Sequence, residues 1–96
     1  MRDKLSQEDI EKSLNDLQGW ELVEGRSAIT KTFEFKNFIE CFGWMSRVAL
    51  ISEKMDHHPE WLNIYKTVDV TLSTHSADGL TALDFKLAQK MEQQLL

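Results

Sequence analysis

Glu53-Lys54-Met55-Asp56-His57-His58-Pro59-Glu60-Trp61 divides the chain into a long helical run before it and a pair of short strand-forming runs after it. Pro59 is the only proline. Its ring disfavours helical backbone in the preceding residue, so a helix through Glu53 is expected to end near His57, with His58 extended. Glu53 and His57 stand four residues apart, which on a helix puts them on one face and within reach of each other. The third and last histidine, His75, falls near the end of a strand a little further on. Every imidazole of the chain therefore belongs to this region.

Toward the N-terminus, Asn37 with Glu40 three residues on marks a helix start, and the apolar pattern runs to about Asp56. Phe38, Cys41, Phe42, Met45, Val48 and Ala49 are expected to form its core face. Ile39, Trp44, Leu50 and Ile51 spread apolar surface around the rest of the cylinder, leaving a narrow polar stripe through Glu40, Gly43, Arg47 and Lys54. A surface helix needs only one apolar stripe, and a second copy of the chain is the simplest cover for the excess. Before this helix, Trp20–Val23 and Ala28–Phe35 read as a hairpin around Glu24-Gly25-Arg26-Ser27. Ile29, Phe33 and Phe35 share its dry face, with Lys31 the odd member. A first helix over roughly Gln7–Leu17 opens on Ser6 with Asp9 and stops at Gly19.

Toward the C-terminus, Trp61–Tyr65 and Val68–Thr74 read as two more strands. Val68, Val70 and Leu72 alternate with Asp69, Thr71 and Ser73, and the same alternation sends His75 away from the dry side. A loop over Ser76–Gly79 leads to a last helix, opened by Thr81 with Asp84 in capping-box style and striped by Leu80, Leu83, Leu87, Met91 and Leu95. The order α-β-β-α-β-β-α predicts an α+β fold: a four-stranded antiparallel sheet with helices on one face, in a single domain over residues 1–96.

An apolar fraction of 42% with 28% charged residues suits a folded globular chain. The net charge of −5 weighs against nucleic acid or an anionic membrane as the main partner. The single cysteine, Cys41, excludes an internal disulfide. The first residues lack the apolar run of a signal peptide, and no segment is long and apolar enough to span a bilayer, so a cytoplasmic protein is expected.

Nucleophilic catalysis finds no support: Cys41 sits among aromatics in the second helix, where cysteine is usually an apolar filler, and no serine is flanked like a nucleophile elbow. No metal is expected, since no H-x-x-x-H spacing sets two ligands on one helix face. Acid–base chemistry suits the residue types better, because histidine exchanges its proton near neutral pH. The residues alone leave two readings open. His57, His58 and His75 can act together with Glu53, or serve separately as helix terminator, pre-proline residue and strand-end hydrogen-bonder. Asp84 has a sufficient duty in completing the cap. Trp20 and Trp61 suit a core or a sheet, although an aromatic wall would also suit a flat heterocycle.

The spaced pattern Glu53, His57-His58-Pro59, Tyr65, His75, Asp84 resembles the signature of the pterin-4a-carbinolamine dehydratases. Gly19-Trp20, Phe33-x-Phe35-x-x-Phe38, Arg47-Val48-Ala49 and Leu72-Ser73-Thr74-His75 agree with it, so the resemblance covers nearly the whole chain. It implies a four-stranded antiparallel sheet with three helices on one side, assembled into homodimers or homotetramers through sheet edges and the long helices. It implies dehydration of a 4a-hydroxytetrahydropterin, such as 4a-hydroxytetrahydrobiopterin, to the quinonoid dihydropterin, with no cofactor or metal. By position, His57, His58 and His75 match the family's active-site histidines. Asp56, Ser73, Thr74 and Ser76 match segments lining the pterin pocket, and Glu53 and Asp84 match acidic signature positions. Trp20 joins these as a candidate wall, and the helix-end position makes His57 the expected acid. Some animal members also serve as dimerisation partners of a transcription factor, so the resemblance carries a protein-binding alternative as well.

Overall fold

The computed structural model describes residues 2–95. Its elements run α1 (Gln7–Asn15), β1 (Glu21–Leu22), β2 (Ile29–Glu34), α2 (Phe38–Met55), β3 (Glu60–Ile64), β4 (Thr67–Leu72), a single 3-10 turn (His75–Ala77) and α3 (Ala82–Gln93). The four strands form one antiparallel sheet in the order β1-β2-β4-β3, giving the expected α+β architecture. No helix among the described residues is long and apolar enough to cross a membrane.

Strand alternation sets one side of the sheet against the helices. Ile29, Phe33, Val68, Val70 and Leu72 are buried and belong to one core cluster with Ile10 of α1, Cys41, Trp44 and Val48 of α2, and Leu87, Ala88 and Met91 of α3. The register pairs Ile29 with Leu72, Lys31 with Val70 and Phe33 with Val68, so the apolar residues of β2 and β4 fall in one layer. Lys31, the polar member of that face, escapes burial by reaching its Nζ to Glu92 at 2.6 Å and to the carbonyl of Gln18 at 3.1 Å. Thr32, Asp69, Leu62 and Ile64 project from the uncovered face.

The core face of α2 differs from the expected one. Cys41, Trp44, Val48 and Ser52 point inward, whereas Phe38, Phe42 and Ala49 lie exposed. Trp44 decides the rotation. Its ring packs 4.6 Å from Phe33, 5.1 Å from Phe35 and 6.2 Å from Trp61, centroid to centroid. Its indole Nε1 donates to the carbonyl of Met91 at 3.0 Å, one of the last four of α3, which have no partner within the helix. Seating the largest side chain of α2 at the centre turns Phe38 and Phe42 outward, where they stack on each other 5.7 Å apart. With Ile39 and Leu50, 82% and 75% exposed, they form an uncovered apolar stripe along α2. Leu95, expected in the stripe of the last helix, lies beyond Gln93 and is exposed.

Candidate active site

Asp56 sets the geometry around the histidines. It closes α2 in the left-handed conformation (φ 53°, ψ 44°), its N–H bonding the carbonyl of Glu53 while the N–H of His57 bonds that of Ser52 at 3.0 Å. This is a Schellman ending. The helix thus stops before His57, and the left-handed step turns that ring away from Glu53. The expected contact between Glu53 and His57 is not made. Glu53 instead accepts from Nε2 of His58 at 2.8 Å, and both of these side chains are exposed. His57 is buried, 5% exposed, with Nε2 2.7 Å from Oδ1 of Asp84 in α3.

Asp84 is the hub of the buried side of the site. The side chain of Thr81 caps α3, and Asp84 accepts in return from the Thr81 N–H at 2.9 Å, completing the capping box. Its Oδ2 also accepts from Thr74 Oγ1 at 2.8 Å, while Oδ1 takes His57. Proton directions follow. Thr74 has one hydroxyl proton and gives it to Asp84, so in the 2.7 Å contact between Thr74 and Thr81 the Thr81 hydroxyl donates. Thr81 Oγ1 in turn accepts from the N–H of Leu83. Every polar atom of this chain of contacts is satisfied, as burial of Thr74, Thr81 and Asp84 requires.

On the exposed side, His75 opens the 3-10 turn next to Thr74, and its Nε2 lies 3.1 Å from Oε2 of Glu60. Arg26, in the β1–β2 turn, forks onto the same carboxylate at 2.9 and 2.5 Å. The hydrogen bond from Arg26, followed by that from His75, lowers the Glu60 carboxyl to about 2. The same pairing raises Arg26 above its ordinary value. Neither Glu60 nor Arg26 was singled out as a functional residue from the sequence. Glu60 could have been found by parity, since it pairs with Thr71 and His75 lies four residues beyond Thr71 on the same alternation. Arg26 lies 34 residues away in a turn and gave no signal.

The three histidines gather at one end of the sheet. Asp84 links His57 to Thr74, the neighbour of His75, and His75 bonds Glu60, which follows His58 by two residues. Each ring has its own carboxylate. A cavity of about 410 Å³, lined by Gly25, Arg26, Ser27, Ser73, His75 and Asp78, takes in His75 but neither His57 nor His58. Ser73 is fixed on its wall by donating to the carbonyl of Ser27 at 2.9 Å. Ser76 lies exposed in the 3-10 turn, and Asp56 is exposed, its carbonyl accepting from Arg2 at 2.7 Å. Trp20 stands apart from this group. It is enclosed in the core, edge-on to Phe33 at 5.8 Å, with its indole N–H donating to Glu92 at 3.0 Å. Cys41 is buried as expected of a filler, and burial pushes its thiol up.

The family described as Pterin 4 alpha carbinolamine dehydratase matches residues 3–94. A relative from Chelativorans sp. (strain BNC1), provisionally named a pterin-4-alpha-carbinolamine dehydratase, is 61% identical over 90 residues, covering 94% of this chain and 92% of its own. One from Roseobacter denitrificans, named likewise, is 57% identical over 94 residues, 96% of each chain. The crystal structure of a Brucella melitensis protein, described as a transcriptional coactivator/pterin dehydratase, superposes with a TM-score of 0.94 at 50% identity, covering 96% of this chain and 98% of that one. A pterin dehydratase-like protein identified as a RuBisCO assembly factor in the alpha-carboxysome shares the fold at a TM-score of 0.70 and 18% identity, over 80% of this chain and 89% of its own. Matched by the family over residues 3–94 and by relatives at 57% and 61% identity over nearly its whole length, this chain belongs to the pterin 4 alpha carbinolamine dehydratase family.

Proposed function

We propose that the protein dehydrates 4a-hydroxytetrahydropterins, such as 4a-hydroxytetrahydrobiopterin, to the quinonoid dihydropterin and water by histidine acid–base catalysis. The observation that carries this reading is the gathering of three imidazoles, each hydrogen-bonded to its own carboxylate, in a member of this family. The hydroxyl on carbon 4a leaves as water once an imidazolium gives it a proton. The proton on nitrogen 5 passes to a neutral imidazole, and the electrons of that N–H bond close the carbon–nitrogen double bond. Each such transfer contributes typically about 10²–10⁴-fold. His58 and His75 are the rings open to a ligand, whereas His57 is enclosed and its Nε2 is engaged by Asp84. The enclosure argues against His57 as the direct acid and for a role holding the buried wall. The same reading assigns the chain to the cytoplasm, as a homodimer or homotetramer covering the apolar stripe of α2.

Purified protein should hasten the decay of freshly generated 4a-hydroxytetrahydropterin. His58→Ala should lose most of that acceleration and stay folded, since the ring is exposed. An inactive wild type in this assay removes the enzyme reading. A second reading, a protein-binding module acting as dimerisation cofactor of a transcriptional regulator, draws on the uncovered α2 stripe and on the coactivator description of the Brucella protein. Its test is a pull-down from the native host: a helical regulator at stoichiometric level, competing with self-assembly, would favour it.

A further inference from the structure

We infer that Glu60, clamped by Arg26, is the positioning residue that holds His75 as the Nε2–H tautomer, so that Nδ1 of His75 is the nitrogen that accepts the substrate proton. The inference rests on the dehydratase reading for its catalytic half and on geometry alone for its tautomer half.

A carboxylate only accepts, so the contact between His75 Nε2 and Glu60 Oε2 requires the proton to lie on Nε2. In the neutral ring the lone pair is then on Nδ1. Both members of the pair are held in place. Arg26 forks onto both of its oxygens, a planar match that a point charge cannot make. Glu60 itself begins β3, whose register pairs it with Thr71 of β4. His75 is fixed from the other side by its neighbour Thr74, locked into the buried Asp84 network. The two other histidine–carboxylate pairs lack this combination. Glu53 is 82% exposed with only His58 upon it, so nothing holds that pair in one pose. The pair of His57 and Asp84 is held firmly but enclosed. Of the three, only the ring of His75 is both fixed and open, and its wall already borders the cavity beside Arg26 and Ser73.

The arrangement has the logic of a base held by a buried or clamped carboxylate, which sets the tautomer and steadies the imidazolium formed when the ring takes a proton. Replacing such a carboxylate by its amide presents the wrong partner. In Glu60→Gln, Arg26 keeps the amide oxygen and the NH2 group faces His75, which must then turn Nε2 into the acceptor and carry its proton on Nδ1.

The test uses protein labelled with ¹⁵N at histidine, with His75 assigned by the loss of its signals in His75→Asn. Spectra are taken at a pH where the rings are neutral. Wild type should show His75 as Nε2–H, and Glu60→Gln should invert it to Nδ1–H without changing the fold seen by circular dichroism. In the decay assay, Glu60→Gln should lower kcat by about 10- to 100-fold, with KM within about twofold. Arg26→Lys should give an intermediate loss, because lysine cannot fork. A wild-type His75 found as Nδ1–H overturns the inference without any variant, and so does a Glu60→Gln enzyme that keeps its kcat. A wild type that holds the expected tautomer yet has no dehydratase activity refutes the function and, with it, the catalytic half of the inference, while the clamp itself is upheld.

Discussion

Removing the carboxylate of Asp84 separates two accounts of that residue. If it only completes the cap of α3, Asp84→Ala should cost about 1 kcal/mol, the usual worth of a cap. The structure gives a larger figure. Three buried donors lose their acceptor together: the Thr81 N–H, the Thr74 hydroxyl and His57 Nε2–H. Each buried donor left unpaired costs about 1–3 kcal/mol, so the sum runs to about 3–9. Relaxation and water entering the vacated space bring it to the lower half of that range. The expected destabilisation is therefore about 3–5 kcal/mol, a Tm drop on the order of 12–40 °C in a domain of this size. Asp84→Asn keeps an oxygen for Thr81 and Thr74 and disturbs only His57, so it should fall between the wild type and Asp84→Ala. Urea denaturation of the three proteins at fixed concentration measures all of this. An Asp84→Ala variant within about 1 kcal/mol of wild type would refute the hub and leave only the cap.

Other outcomes follow from the same geometry. The Glu60 carboxyl is lowered in the folded protein to about 2 from an ordinary 4.5, chiefly by Arg26 and then by His75. Its stabilisation is thus full above about pH 4.5 and disappears as pH falls through 2, so the stability gap between wild type and Glu60→Gln should close over that window in urea titrations; being solvent-screened, the gap is small. Trp44→Phe removes the indole donor from the Met91 carbonyl and should cost about 1–3 kcal/mol in thermal or chemical unfolding. Ile39→Asp with Leu50→Asp, on the uncovered side of α2, should reduce the molar mass measured by light scattering while leaving the circular dichroism unchanged. An unaltered mass would remove α2 as the self-association surface.

Where short-range rules governed, the fold was legible. Alternation through Val68, Val70 and Leu72 fixed the dry face of β4, and Thr81 with Asp84 announced the start of α3. The rotation of α2 was not legible because the helix is apolar nearly all round. Periodicity then has no contrast, and the fit of Trp44 against Phe33 and Phe35 decides instead. At the candidate site, the spacing singled out three histidines and set Glu53 within reach of His57, whereas Glu53 bonds His58. One left-handed residue, Asp56, redirects His57 from Glu53 to Asp84, a partner 27 residues away that no local rule supplies. The pairing of Arg26 with Glu60 depends on a turn meeting a strand, which only the assembled sheet brings about.

One carboxylate serving both a helix start and an imidazole also limits how such a site can diverge. Exchanges at Asp84, Thr74 or His57 would be felt first as a failure to fold, so selection for new chemistry would seldom see them. The rim at Ser73 and Asp78 carries no such burden, and altered substrate preference would be sought there first.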